Sequence, residues 1–223
     1  MCGRFTLTAD PNKIREAHPW LNVPEEIQPR YNIAPTQPVA VVPNDGKNKL
    51  DFFVWGLIPS WAKDPEIGSR MINARAETLA EKPAFRAAFR RRRCLILADG
   101  FYEWRQVPGR KAKIPMYIRM EDGKPFAFAG LWEDWHSPDG SEIKSCTIIT
   151  TEPNSLLQDI HNRMPVILPE ETYPQWLETE EQDPRQLQSL LRPYPAEEMI
   201  AFPVSTLVNS PANESAELII PQA

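Results

Sequence analysis

Proline fills 24 of the 223 positions of the chain, roughly twice the ~5% share usual in globular proteins. Each proline fixes its own φ and lacks an N–H, which keeps it out of helix interiors and the middle of sheets. A chain punctuated in this way folds into short elements joined by shaped loops, and long helices are not expected. Hydrophobic residues make up 42% of the sequence and charged residues 25%, enough apolar surface to order a core and to exclude wholesale disorder. The length suits one such core, so the reading is a single domain over residues 1–223.

Asp10 before Pro11 is an N-cap with proline in the first turn, predicting a short helix that stops ahead of His18-Pro19. Residues 30–43 and 49–61 read as strands of a hairpin about Asn44-Asp45-Gly46. Leu79, Phe85 and Phe89 predict a helix within residues 77–92 that hands over to a buried strand at Cys94-Leu95-Ile96-Leu97. Further strands follow over 94–105, 113–120, 125–135 and 144–151, with turns at Glu121-Asp122-Gly123 and Pro138-Asp139-Gly140. Asn154 caps a short helix leading to His161, residues 164–169 form a strand, and Pro169 and Asp183-Pro184 open two acidic helices. The tail from Phe202 returns as edge strands. The fold class is α+β, with a curled, barrel-like antiparallel sheet flanked by short helices.

No run approaches the ~20 apolar residues of a membrane span, and the first ten residues lack the apolar region of a signal peptide. A cytoplasmic protein is expected. Cys2, Cys94 and Cys146 are odd in number and without C-x-x-C spacing, which argues against a disulfide framework and a zinc knuckle. Neither a metal site nor a nucleotide loop is visible, so no cofactor is expected. The net charge of −5 is unevenly spread. Residues 1–120 carry 20 Lys and Arg against 12 Asp and Glu, whereas residues 121–223 carry 5 against 18. A polyanion needs only a local positive groove, and the first half can supply one.

Cys2 follows Met1, and removal of Met1 would create a 1,2-aminothiol. Its amine, with a reference pKa of roughly 7.7–8.0, and its thiol, at roughly 8.5, would both be available near neutrality without strong tuning. Together they could capture an aldehyde, first as an imine and then as a five-membered thiazolidine; the same thiol could instead serve an amidase with the amine as base. In MINARAET, Asn73 and Arg75 are two apart and share one side of an extended segment. In LADGFYEW, Glu103 lies among Phe101, Tyr102 and Trp104, surroundings able to desolvate a carboxylate and raise its pKa. In IHNRMP, His161 and Arg163 pair a group that titrates near neutrality with a guanidinium suited to phosphate. His18 and His136 read as structural. The run Arg90 to Arg93 ends a helix, where cations meet the macrodipole favourably, and it is left out of the site.

MCGR, RYN followed by AP, WGLIPSW, INAR-x-ET, ADGFYEW and IH-x-RMP occur in this order over most of the chain. They closely resemble the SRAP family of SOS-response-associated peptidases and abasic-site processing proteins. The resemblance implies a DNA-damage function: a thiazolidine cross-link between the N-terminal cysteine and the ring-opened sugar of an abasic site in single-stranded DNA, with lyase-type Schiff-base chemistry and autoproteolytic removal of Met1. It also implies roles. Cys2 is the nucleophile, Asn73 orients the sugar, Glu103 handles protons, and His161 protonates sugar or ring atoms. Arg4, Arg75 and Arg163 contact phosphates, while Trp61, Trp104 and Thr150 line the DNA channel. The implied partner is single-stranded DNA, bound by a monomer that associates with the nucleoid, with no membrane partner. Two alternatives stand beside this: an N-terminal-nucleophile glutaminase or peptidase, and a non-catalytic single-strand binding module. The length and the lack of an Asn-Gly pair count against the glutaminase.

Overall fold

The computed structural model describes residues 2–109, 111–137 and 139–222; Met1, and Pro138 of one predicted turn, lie outside them. The strands in chain order are β1 (Phe5–Leu7), β2 (Arg30–Ile33), β3 (Pro38–Pro43), β4 (Asp51–Trp55), β5 (Asn73–Arg75) and β6 (Arg93–Ala98). They continue as β7 (Gly100–Arg105), β8 (Ile114–Met120), β9 (Phe126–His136), β10 (Glu142–Thr151), β11 (Met164–Pro165) and β12 (Met199–Pro203). The α-helices are α1 (Pro11–Ala17), α2 (Arg86–Arg91), α3 (Tyr173–Trp176) and α4 (Pro184–Gln188). The longest of these, α1, has seven residues, as the proline content requires. Asp10 caps it by accepting the N–H groups of Asn12 and Lys13 at 2.9 and 3.0 Å. Among the described residues no helix is long and apolar enough to cross a membrane.

Strands β10, β4, β3, β6 and β9 follow one another by pairing, and β9 pairs back to β10, closing a five-stranded barrel. The curled, barrel-like sheet expected from the sequence is present, and it is mixed rather than wholly antiparallel, because β10 runs parallel to β4 and to β5. The reason is geometric: strand direction cannot alternate all the way round a ring with an odd number of members, so one pair has to be parallel. The β3–β4 hairpin supplies antiparallel pairs, as do β3–β6, β6–β9 and β9–β10. β6 is buried along its whole length, which accounts for its uninterrupted apolar run.

A second, fully antiparallel sheet has the order β12-β8-β7-β1-β2. Phe5 of β1 makes edge contacts to Trp55 of β4 and Phe128 of β9, with ring centroids at 5.1 and 5.6 Å, and so packs this sheet on the barrel. Gly100 of β7 allows the close approach of the Tyr117 ring from β8. A Cβ there would lie 2.1 Å from the Tyr117 hydroxyl, which is itself held 2.8 Å from Thr6 Oγ1. Gly100→Ala is expected to cost about 3 kcal/mol by overpacking and to lower Tm by roughly 10 °C. Thermal unfolding checks this, and a Tm within a degree or two of wild type would contradict it.

The helix expected within residues 77–92 is shorter than its apolar spacing suggests. Residues 76–78 form a 3-10 turn and only α2 is α-helical, because Pro83 has no N–H to donate and disfavours a helical Lys82. Asn154 does cap, accepting the Leu157 N–H at 3.0 Å, but the segment up to His161 stays a series of turns. The acidic helices shrink to α4 and to α3 with the 3-10 turn Glu170–Thr172 before it. In the tail only β12 is a strand; Thr206–Asn209 and Ala216–Ile219 are 3-10 turns. Arg90 to Arg93 are bound internally. Arg90 and Arg91 meet Glu181, Arg92 meets Glu133 at 2.8 Å, and buried Arg93 donates to the carbonyls of Arg90, Trp176 and Glu178.

Candidate active site

The barrel closure brings distant segments to one place. At its far end β10 carries β5 on one side, with Ile148 opposite Asn73 and Thr150 opposite Arg75. On its other side Thr150 lies opposite Pro165 of β11, just past His161 and Arg163. From the second sheet, the Tyr102 N–H donates to the Arg4 carbonyl at 2.9 Å, extending the β1–β7 ladder toward Cys2 and Glu103. The two groups are joined by Asn73, whose Nδ2 donates to the Cys2 carbonyl at 2.8 Å. Asn73 Oδ1 is buried without a hydrogen-bond partner among the described residues. Such an acceptor is costly to leave unused and is suited to a ligand donor.

Cys2 is fully buried. Burial, and next the nearby charge of Glu103, push its thiol well above the usual range. This corrects the expectation of a thiol partly ionised at neutral pH: the sulfur is a thiol and needs a base to become a nucleophile. Glu103 is 2% exposed, and burial pushes its carboxyl up to about 7, where it can hold or release a proton near neutrality. His161 is half-buried, and burial lowers its imidazole below the ordinary value. Its Nδ1 lies 3.1 Å from the Arg163 N–H and 3.2 Å from the Arg163 carbonyl. The same backbone can therefore donate to a neutral ring or accept from Nδ1–H, and the ring keeps its orientation through a change of protonation.

The expected phosphate contacts differ in their freedom. Arg75 is exposed. Arg4 is partly buried, donates from Nη1 to Asn32 Oδ1 at 2.7 Å and to the Val208 carbonyl at 2.8 Å, and lies 5.9 Å from the centre of the Trp104 ring. Arg163 makes a two-pronged ion pair with Glu77 at 2.7 and 2.9 Å and donates to the Thr150 carbonyl at 2.6 Å. Thr150, expected to line a channel, is wholly buried and serves the site by that carbonyl. Trp61 is 60% exposed, and Trp104 donates from Nε1 to Asn209 at 2.7 Å. His18 is buried at the C-terminal end of α1, and His136 pairs with Glu142 across a hairpin at 3.1 Å.

The sequence reading missed Glu77, Asn32 and Lys113. Lys113, just before β8, has a charge that lowers the pKa of both Glu103 and His161 as a lesser influence after burial. Glu77 was visible in INAR-x-ET, but not its partner. A cleft of about 780 Å³ lies apart from all these residues and is lined by Glu121, Asp122, Glu170, Glu171, Glu197 and Glu198. Its excess of carboxylates suits no polyanion.

The arrangement presents an amine-bearing residue, its thiol, a carboxyl that titrates near neutrality and an imidazole with a fixed ring. It can add a nucleophile to a carbonyl and move the protons that step requires. Comparison with known proteins gives it a setting. A solved structure of a protein from Bacteroides thetaiotaomicron superposes with a TM-score of 0.87 at 28% identity, covering all of both chains. The abasic site processing protein YoqW of Bacillus subtilis is 53% identical over 98% of this chain and 99% of its own length. The abasic site processing protein HMCES of Xenopus tropicalis is 30% identical over 97% of this chain and 77% of its own. Residues 1–211 match the family model described as SOS response associated peptidase, and on that match and these relatives the chain belongs to the SRAP family.

Proposed function

We propose that the protein processes abasic sites in single-stranded DNA by covalent capture through Cys2. The observation that carries this reading is the setting of Cys2: tied to Asn73 by its carbonyl and placed within the electrostatic reach of a buried carboxyl at about 7. With Met1 removed, the Cys2 amine adds to the aldehyde of the ring-opened sugar. The resulting carbinolamine loses its hydroxyl as water, with the proton supplied by Glu103, and leaves an imine. The thiol then adds to the carbon of this imine, which is still protonated on nitrogen: a C–S bond forms, the C=N electron pair returns to nitrogen and the S–H proton passes to the Glu103 carboxylate left by the dehydration, closing the thiazolidine. His161 supplies a proton to the sugar oxygen during opening and reversal. Asn73 Oδ1 accepts from a sugar hydroxyl, Arg75 faces a phosphate, and Trp61 and Trp104 stack bases.

The expected result is a complex between the purified protein and a single-stranded oligonucleotide bearing one abasic site that survives denaturing electrophoresis without a reductant. Capping the aldehyde with methoxyamine beforehand should abolish it. A complex that requires borohydride, or that forms equally on capped or intact strands, would overturn the reading. The family description, peptidase, favours a second activity of the same site, autoproteolytic removal of Met1: the Cys2 thiol gives its proton to Glu103 and adds to the Met1 carbonyl, the Met1–Cys2 C–N bond breaks as Glu103 returns that proton to the Cys2 amine, and water hydrolyses the resulting Met1 thioester, releasing methionine and restoring the thiol.

A further inference from the structure

We propose that Glu77 is a positioning residue for His161, acting through Arg163. Glu77 lies two residues beyond Arg75, in the 3-10 turn that follows β5, and so belongs to the segment that carries Asn73. Its two carboxylate oxygens take both terminal nitrogens of Arg163 at 2.7 and 2.9 Å, the geometry in which a guanidinium and a carboxylate fix each other's orientation as well as position. The Arg163 side chain is only 16% exposed, and Nη2 is held a second time by the Thr150 carbonyl at 2.6 Å. The hydrogen bonds from the Arg163 guanidinium hold the Glu77 carboxyl below the usual range, so Glu77 stays a carboxylate at neutral pH.

The consequence lies in the backbone. The Arg163 N–H and carbonyl form the seat of the His161 ring, at 3.1 and 3.2 Å from Nδ1. Anchoring the Arg163 side chain anchors that seat. Glu77 therefore staples the segment bearing Asn73, which grips Cys2, to the segment bearing His161, and sets the imidazole relative to the cysteine. It touches no reacting atom. It is also why Arg163, expected to contact phosphate directly, meets the rest of the site as a fixed guanidinium already carrying a carboxylate.

The kinetic part of the test rests on the function proposed above; the spectroscopic part does not. With only three histidines in the chain, long-range ¹H–¹⁵N correlation spectra resolve the His161 ring nitrogens in the protein alone. In Glu77→Gln the ring nitrogen shifts of His161 are expected to move toward a mixture of tautomers, while those of His18 and His136 stay in place. The rate of adduct formation at saturating abasic DNA is expected to fall roughly tenfold, the scale of a small misplacement of a reacting group, with the half-saturating DNA concentration unchanged. Glu77→Asp, which keeps the charge on a shorter arm, should restore part of the rate. Unchanged His161 shifts would overturn the proposal. So would faster adduct formation or tighter DNA binding in Glu77→Gln, which would make Glu77 a competitor of the phosphate. Shifts that move in a protein forming no adduct even as wild type would uphold the positioning role and remove the abasic-site reading instead.

Discussion

Cys2→Ala is expected to abolish the denaturation-resistant complex with abasic single-stranded DNA. The substitution leaves a small residue after Met1, so an aminopeptidase can still expose the α-amine in the absence of the thiol, and that amine can still form an imine with the aldehyde. What it removes is the sulfur that turns a hydrolysable imine into a ring. Borohydride should therefore trap a residual Cys2→Ala adduct that is absent without it, whereas the wild-type yield should not depend on reductant. Because Cys2 is wholly buried in the main core cluster, a thermal melt has to accompany the assay; alanine removes one atom and leaves the Asn73 bond to the residue 2 carbonyl in place. A Cys2→Ala protein that cross-links as wild type does without reductant would put the chemistry elsewhere.

Glu103→Gln is expected to slow adduct formation by roughly 10²-fold or more, the usual range for loss of a general acid–base. The wild-type rate should show an inflection close to pH 7, where burial places the Glu103 carboxyl, and the variant should lack it. Stability should move in the opposite direction. The native protein keeps a proton on Glu103 between about pH 4.5 and 7 that the unfolded chain has already lost, so this group's contribution falls as pH rises through that window. Glu103→Gln should therefore melt higher than wild type above pH 7, and the difference should vanish below pH 4.5. A variant that is both slower and more stable marks a functional carboxyl held at a structural cost; one with wild-type rates, or destabilised at pH 8, contradicts the role. The intact mass of the same variant tests the second activity, since retention of Met1 is expected if Glu103 takes part in its removal and loss of Met1 would assign that step to an aminopeptidase.

Local signals were the legible part of the fold. Asp10-Pro11 marks α1, Asn44-Asp45-Gly46 marks the β3–β4 hairpin, and the apolar run at Cys94 marks β6 because it is buried on both faces. A barrel-like sheet was expected, but the strand order that closes it was not legible, since it depends on β10 meeting β4 at Cys146 and Trp55, strands far apart in sequence with no shared pattern. The candidate site divides in the same way. Cys2, Asn73, Glu103 and His161 stand in short motifs, and the apolar neighbours of Glu103 already pointed to a raised pKa. The burial of the Cys2 thiol and the ion pair of Arg163 with Glu77, 86 residues away, come from packing between motifs, and neither is written in any one of them.

The central claim is that both nucleophilic atoms of Cys2 end on one carbon of the sugar. Mass analysis of the proteolysed adduct, after treatment with iodoacetamide, tests it most directly. The account predicts an N-terminal peptide beginning at Cys2, carrying the sugar remnant with the loss of one water and with a sulfur that does not alkylate. A sugar attached to a lysine, an adduct on a chain that retains Met1, or an adduct at Cys2 whose sulfur still alkylates would contradict it.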